Sequence, residues 1–130
     1  MPKPESKFWS EIKKKKMPIQ WTRLESWASA GVPDLLGYNK NHFYFTVELK
    51  VTAGNKLRFS PHQIAYHKTH PLNSFILAKS LGPCAVKLYE GGQIEGLLEQ
   101  GLELDALCLG LDACSLFFSE LGNWSLEPGA

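Results

Sequence analysis

The ten residues 43–52, FYFTVELKVT, carry the clearest strand pattern in the sequence. The odd-numbered positions from Phe43 to Val51 are all apolar, whereas the even-numbered positions from Tyr44 to Thr52 carry polar groups. Alternation with a period of two, in a stretch rich in aromatic and β-branched residues, is typical of a strand with one buried face. The sequence therefore predicts a strand at 43–51 whose apolar face lies in the core.

The residues around this strand predict a hairpin and a helix. The sequence NKNH at 39–42 is typical of a turn, so residues 32–38 are expected to pair with the strand as a hairpin. Further along, Ser60, Pro61 and Gln63 have the types expected at the N-cap, first helical position and third position of a capping box. That helix is expected to end before Pro71.

Outside this central part, the sequence predicts two more strands and helices at both ends. Residues 74–78 and 85–89 are apolar runs separated by Gly82-Pro83, and we expect a strand in each. Residues 19–28 fit a strand or a helix equally well. The fold expected is α/β, a small mixed sheet flanked by helices, with a helical C-terminal extension.

The length of 130 residues fits a single domain. We expect a basic N-terminal helix or arm at 1–18, a core at 19–90 and an acidic helical region at 91–130. The N-terminus lacks an apolar signal segment, and the apolar tract 104–121 contains Asp105 and Asp112, which argues against a membrane span. Three cysteines without a CxxC pair favour a reducing, cytoplasmic location.

Charge is divided unevenly along the chain. Residues 1–88 hold all 14 Lys and Arg and only 5 acids, a net charge of +9, whereas residues 89–130 hold 8 acids and no Lys or Arg. The basic part suggests an anionic partner, for which DNA is the obvious candidate. The alternative is a solvated charge bias without a partner.

The strand at 43–51 also carries the candidate chemistry. Glu48 and Lys50 lie two apart and leave the same face, and the hairpin brings Asp34 toward Glu48. Two neighbouring carboxylates repel each other, and a divalent cation such as Mg²⁺ removes that repulsion. Lys50 could then orient the attacking water or stabilise charge on a phosphate.

Each piece has a plainer interpretation. Glu48 and Lys50 could be a solvated edge pair worth under about 1 kcal/mol. Asp34 could be a turn residue, and Gln63 could be only the capping partner of Ser60. The chain has no phosphate-binding loop, dinucleotide fingerprint or nucleophile elbow, so no nucleotide cofactor is expected.

Pro33-Asp34 together with Glu48-Leu49-Lys50 resembles the motif of the PD-(D/E)xK nuclease superfamily. The stretches WTRLE (21–25), GVPDL (31–35), VELKV (47–51) and SPHQ (60–63) look like those of small phage- and virus-type members. These include virus-type replication-repair nuclease (VRR-NUC) domains and Holliday-junction-resolvase-like proteins. The resemblance covers roughly residues 21–90, and it implies a restriction-endonuclease-like core, Mg²⁺ or Mn²⁺, and hydrolysis of DNA phosphodiesters.

The resemblance assigns roles to individual residues. Asp34 and Glu48 would bind the metal, with the backbone carbonyl of Leu49 as a third ligand, and Lys50 would be the catalytic lysine. Glu25 would be the upstream acid and a metal ligand, with Glu11 as its competitor, and Gln63 would support the site from the helix. The resemblance also implies a homodimer and products with a 5′-phosphate and a 3′-hydroxyl.

Basic and aromatic residues outside the motif are the predicted DNA contacts. On the helix after Ser60, Tyr66 and His67 share a face with Gln63, and this face could meet phosphates or stack on a base. A zinc pair of His67 and His70 lacks a third ligand at usable spacing. The predicted DNA-binding residues are Lys13, Lys14, Lys15, Lys16, Arg23, Lys56, Arg58, Tyr66 and His67. For the four consecutive lysines, a solvated helix end is the alternative.

The function expected from these observations is that of a metal-dependent DNA endonuclease acting on branched or structured DNA, as Holliday-junction resolvases do. The chain is too short for a separate sequence-reading domain, which disfavours restriction-type specificity. A catalytically silent nucleic-acid-binding or assembly module with the same fold is the alternative. A third interpretation, a chance motif in an unrelated α/β protein, predicts that Asp34 and Glu48 lie apart.

Overall fold

The computed structural model describes residues 1–24 and 30–123. In these ranges the chain forms a mixed α/β fold, in which four helices flank one six-stranded mixed sheet. The strands are β1 (Gln20–Arg23), β2 (Leu35–Tyr38), β3 (Tyr44–Thr52), β4 (Ser74–Leu81), β5 (Cys84–Glu90) and β6 (Cys108–Leu109). The helices are α1 (Lys3–Lys14), α2 (Pro61–Thr69), α3 (Ile94–Gln100) and α4 (Leu111–Glu120).

The strands lie in the sheet in the order in which they occur along the chain. Every neighbouring pair is antiparallel except β3 and β4, which run parallel and are joined through α2. A parallel connection needs a crossover, and a helix is the usual means of making it. This crossover brings α2 over the polar face of β3.

Two hydrophobic clusters cover the two faces of the sheet. On one face, Phe8 and Ile12 of α1 and Phe118 of α4 pack with Phe45 and Val47 of β3. On the other face, β4 and β5 pack with α3 through Ile76, Ala78, Tyr89, Ile94 and Leu97. The predicted apolar face of β3 is therefore buried, as the alternation requires.

The hairpin turn is anchored to the end of α4. The Asn39 amide is buried and donates from Nδ2 to the carbonyls of Phe118 and Leu121, at 2.7 and 2.8 Å. Its backbone N–H donates to the Phe43 carbonyl at 3.2 Å, which closes the turn predicted at 39–42. Local turn chemistry and long-range packing therefore fix the same hairpin.

For part of region 19–28, the structure shows which of the two predicted elements forms. Residues 20–23 form an edge strand, with Gln20 opposite Tyr38 and Arg23 opposite Leu35. Its side chains alternate too briefly for the sequence alone to distinguish a strand from a helix. Residues 25–29 lie outside the described ranges, and so does Glu25.

The C-terminal region, which was predicted to be helical, contains a short strand as well as helices. The backbone N–H groups of Leu107 and Gly110 donate to carbonyls of β5 at 2.8 Å, and the two residues between them form β6 along the β5 edge. An exposed edge strand has unpaired backbone groups, and β6 satisfies some of them. Gly101 and Gly110, with φ of +62° and +87°, permit the breaks that separate α3, β6 and α4.

No helix within residues 1–24 and 30–123 is long and apolar enough to cross a membrane. The cysteines of the sequence, Cys84, Cys108 and Cys114, are all free.

Candidate active site

The candidate site lies at the N-terminal end of β2, where β3 continues with β4 on one side and no described strand on the other. The pairing of β2 with β3 runs only from Tyr38–Tyr44 to Leu35–Val47, although β3 extends to Thr52. Asp34 Oδ2 accepts a hydrogen bond from the Leu49 N–H at 2.8 Å, and Glu5 Oε2 accepts one from the Val51 N–H at 2.9 Å. Two carboxylates therefore accept the backbone N–H groups of β3 that a neighbouring strand would otherwise bind.

Glu48 is the most buried acid of the site. Its residue is only 2% exposed, and its Oε2 accepts a hydrogen bond from Gln63 Nε2 at 3.0 Å. Among the described residues its other oxygen, Oε1, is buried without a hydrogen-bond partner. This burial excludes the interpretation of Glu48 as part of a solvated surface pair. An ionised carboxylate this deep needs a compensating cation or donor.

His67 lies directly behind Glu48. Its ring is fully buried, Nε2 is 3.8 Å from Glu48 Oε1, and Nδ1 is hydrogen-bonded to Ser74 Oγ at 2.9 Å. Within the described ranges, Nε2 also has no hydrogen-bond partner. The prediction that His67 contacts DNA is therefore wrong, because the helix face it occupies packs on the sheet.

Gln63 links the helix to both charged side chains. Its Oε1 accepts from the Ser60 N–H at 2.9 Å and from Lys50 Nζ at 3.0 Å, while its Nε2 donates to Glu48. Gln63 therefore makes the contacts of a capping partner and also those of a residue that supports Lys50 and Glu48. Lys50 Nζ also lies 4.7 Å from the ring centroid of Phe59, a favourable cation–π distance.

Asp34 binds a proton more readily than an ordinary aspartate. Burial raises the pKa of Asp34 from 3.8 to about 6, and the charge of Glu48 adds to the rise. The Leu49 N–H and the Lys50 ammonium oppose this shift of the pKa. The charge of Glu48 can raise the pKa of Asp34 only because the two carboxylates lie close together. The interpretation as a chance motif predicted that they lie apart.

These residues open onto a cavity of about 610 Å³. Asp34, Glu48 and Glu5 supply its acidic part, and Lys50 lies beside them. Three exposed cations that were predicted to contact DNA, Arg23, Lys56 and Arg58, also line it. Acidic groups inside and basic groups around them suit a site for a divalent cation and a polyanion together.

The donors present fit a hard divalent cation. The described residues contain no group of three or more His, Cys, Asp or Glu side chains that could hold a metal. Mg²⁺ however requires only one or two protein carboxylates, since it keeps several of its waters. Asp34 and Glu48, which both line the cavity, meet that requirement.

The other predicted site residues lie away from the cavity. Glu11 accepts from Lys79 Nζ at 2.6 and 2.8 Å, so it does not compete for the role of upstream acid. Residues 13–16 lie at the end of α1 opposite to Glu5, and Lys15 pairs with Asp112 at 2.6 Å. The Tyr66 ring stacks on His70 at 4.0 Å and does not line the cavity.

Glu5 is the site residue that the sequence analysis missed. On α1 it precedes Phe8, Trp9 and Ile12 by three, four and seven positions, so it shares their buried face. An acid on an apolar helical stripe is unusual, and this pattern in the sequence could have identified Glu5 as a candidate site residue.

No protein-family model matches the chain, and the comparison with curated proteins also finds no match.

Proposed function

We propose that the chain is a metal-dependent endodeoxyribonuclease of the PD-(D/E)xK type, with a restriction-endonuclease-like core. One observation carries this proposal: Asp34 and the buried Glu48 line the same basic-edged cavity as Lys50. Chance placement of the motif would not bring these three side chains together. Branched or structured DNA is the proposed substrate.

In this proposal, Asp34 and Glu48 hold Mg²⁺ or Mn²⁺ together with the Leu49 carbonyl. The ion, when bound, supplies charge neutralisation at the phosphate and a lowered pKa for the attacking water. Lys50 stabilises negative charge that develops on the phosphate during hydrolysis. Gln63 holds Lys50 and Glu48 at fixed distances, so the cation and the carboxylate stay on the same side of the cavity.

The surrounding basic residues bind the phosphate backbone. Arg23, Lys56 and Arg58 are exposed at the cavity and can contact phosphates on either side of the one that is cut. Such contacts position DNA without reading its sequence. Glu5, fixed by the Val51 N–H, adds a third carboxylate to this site. The homodimer implied by the resemblance stays a prediction.

The test is cleavage of a four-way junction, a flap, a linear duplex and a single strand, each with Mg²⁺, Mn²⁺ or EDTA. We expect cleavage that requires metal, and a rate lowered at least about a hundredfold by Asp34→Ala and by Lys50→Ala. Asp105→Ala and Lys7→Ala remove charges of the same kinds from exposed positions outside the cavity and should leave the rate unchanged. DNA binding without cleavage of any substrate would instead support the catalytically silent module.

A further inference from the structure

The sheet has a second polar and aromatic surface, on the same face as Glu48. Cross-strand neighbours Gln20 and Tyr38, Thr22 and Leu36, and Tyr38 and Tyr44 bring side chains of β1, β2 and β3 together. We call this surface the tyrosine face, and it consists of Gln20, Thr22, Leu36, Tyr38 and Tyr44. These five residues line a shallow pocket of about 230 Å³, in which Gln20, Thr22 and Tyr44 are exposed.

Two tyrosines form the aromatic part of the tyrosine face. Their ring centroids are 4.4 Å apart with planes tilted by 38°, and the Tyr38 hydroxyl is hydrogen-bonded to His42 Nδ1 at 2.7 Å. Tyr38 is therefore held on both sides, whereas Tyr44 is 58% exposed. An aromatic ring fixed on a strand and left open to solvent is a platform on which a nucleobase can stack.

The tyrosine face is continuous with the candidate active site along β3. Tyr44, Thr46 and Glu48 leave β3 on the same side, and four residues of strand span about 13 Å. A DNA strand whose phosphate lies at Glu48 can therefore reach Tyr44 within a few nucleotides. The exposed cations Arg23, Lys56 and Arg58 line the cavity at the Glu48 end of this path, and they favour a polyanion as the ligand that joins the two surfaces.

We propose that the tyrosine face binds unpaired nucleobases of the DNA substrate. The bases stack on Tyr44 and Tyr38, and Gln20 and Thr22 offer hydrogen-bonding groups to the base edges. This inference rests on the proposed nuclease function and narrows its substrate to DNA with a single-stranded segment beside the cleavage point. Fully paired bases in a duplex are already stacked on each other and gain nothing from this surface.

The test is binding by the full chain, in EDTA, of a labelled single strand, a fork with one unpaired arm and a blunt duplex. We expect Tyr44→Ala to weaken binding of the single strand and the fork by about five- to tenfold, in line with the measured contribution of one stacked base. Binding of the blunt duplex should change less than twofold. Tyr44→Phe keeps the ring and should bind all three as the unmodified chain does.

Two further variants keep the test decisive. Leu116→Ala removes an equally exposed side chain, 64% exposed, from α4 on the opposite face of the sheet, and it should have no effect on any of the three affinities. Thr22→Glu puts a negative charge on the tyrosine face from an exposed position, and it should weaken single-strand binding even if Tyr44→Ala fails to fold.

The proposal fails if folded Tyr44→Ala binds single strand as before, or loses duplex affinity equally. It also fails if the substitution changes the oligomeric state and no DNA affinity, since the tyrosine face would then be a contact between copies. The binding assay is independent of cleavage. Loss of single-strand binding in a chain that cuts nothing would overturn the nuclease proposal alone, and metal-dependent cleavage unaffected by Tyr44→Ala would overturn only the tyrosine face.

Discussion

At the scale of single residues, the site is defined by how its acids are satisfied. Asp34 and Glu5 accept hydrogen bonds from backbone N–H groups of β3. Glu48 accepts one from the Gln63 side chain, and its other oxygen has no hydrogen-bond partner among the described residues. Burial of charged groups costs free energy unless they are paired. We infer that the chain gives up some stability here to keep two carboxylates close together.

The pKa of Asp34 predicts how that cost depends on pH. Since the folded pKa of about 6 exceeds the ordinary value of 3.8, the folded state binds the proton more tightly. The resulting stabilisation is fully present below about pH 4 and disappears as the pH rises through 6. In metal-free buffer, the free energy of unfolding should therefore fall relative to that of Asp34→Asn, by up to about 3 kcal/mol between pH 4 and 7.

Urea unfolding of both proteins in EDTA, at several pH values, measures this difference. Subtracting the two curves removes the titration of groups that do not interact with Asp34, and Asn at this position can still accept the Leu49 N–H. Curves that stay parallel from pH 4 to 7 would show that Asp34 titrates normally in the folded chain.

At the scale of secondary structure elements, α2 matters because its first turn is part of the site. Ser60 Oγ accepts the Gln63 N–H at 3.1 Å, and Gln63 Oε1 accepts the Ser60 N–H at 2.9 Å. This capping box fixes the start of the helix and, through Gln63, the positions of Lys50 and Glu48. The start of the helix and the arrangement of the site are therefore one structural feature.

We expect Ser60→Ala to destabilise the chain by about 1 kcal/mol, the usual cost of losing an N-cap. It should also lower the rate of any metal-dependent cleavage, because Gln63 loses one of the contacts that orient it. Thr69→Ala is the matched control, since Thr69 Oγ1 bonds to carbonyls at the other end of α2. Denaturant unfolding and cleavage rates compare the two, and equal loss of rate in both variants would contradict a specific role for the cap.

At the scale of the whole molecule, the charge division of the sequence becomes a set of ion pairs across the fold. The pairs Lys15–Asp112, Lys40–Glu120 and Lys68–Glu95 join the basic and acidic parts, with N–O distances of 2.6 to 3.1 Å. All six side chains are substantially exposed, so each pair contributes at most about 1 kcal/mol to stability. Their effect on binding of a polyanion should be larger than their effect on folding.

The triple variant Asp112→Asn, Glu120→Gln, Glu95→Gln tests this. It frees three lysines and raises the net charge by three, so duplex DNA should bind more tightly and with a steeper dependence on salt concentration. The melting temperature should change by only a few degrees. The control is Glu99→Gln combined with Glu103→Gln, which also raises the net charge but leaves the three ion pairs intact. If the triple and the double variant gain the same DNA affinity for each charge removed, the net charge and not the release of these lysines sets the affinity.

Features that depend only on neighbouring residues could be predicted from the sequence. Alternation at 43–52 indicates β3, and Ser60, Pro61 and Gln63 indicate the start of α2, because strand pleating and helix capping act within a few residues. The same local patterns place Glu48 and Lys50 on one side of β3 and Asp34 near them. Resemblance to a nuclease motif then supplied the proposed roles.

The burial of polar groups and the completion of the sheet depend instead on tertiary packing. Glu48 and His67 are buried because α2 crosses over β3, and Glu5 reaches the site because α1 packs on the opposite face. β6 forms because the edge of β5 needs backbone partners, although its leucine spacing suggested a helix. Each of these depends on contacts between segments far apart in the chain, where packing outweighs local preference.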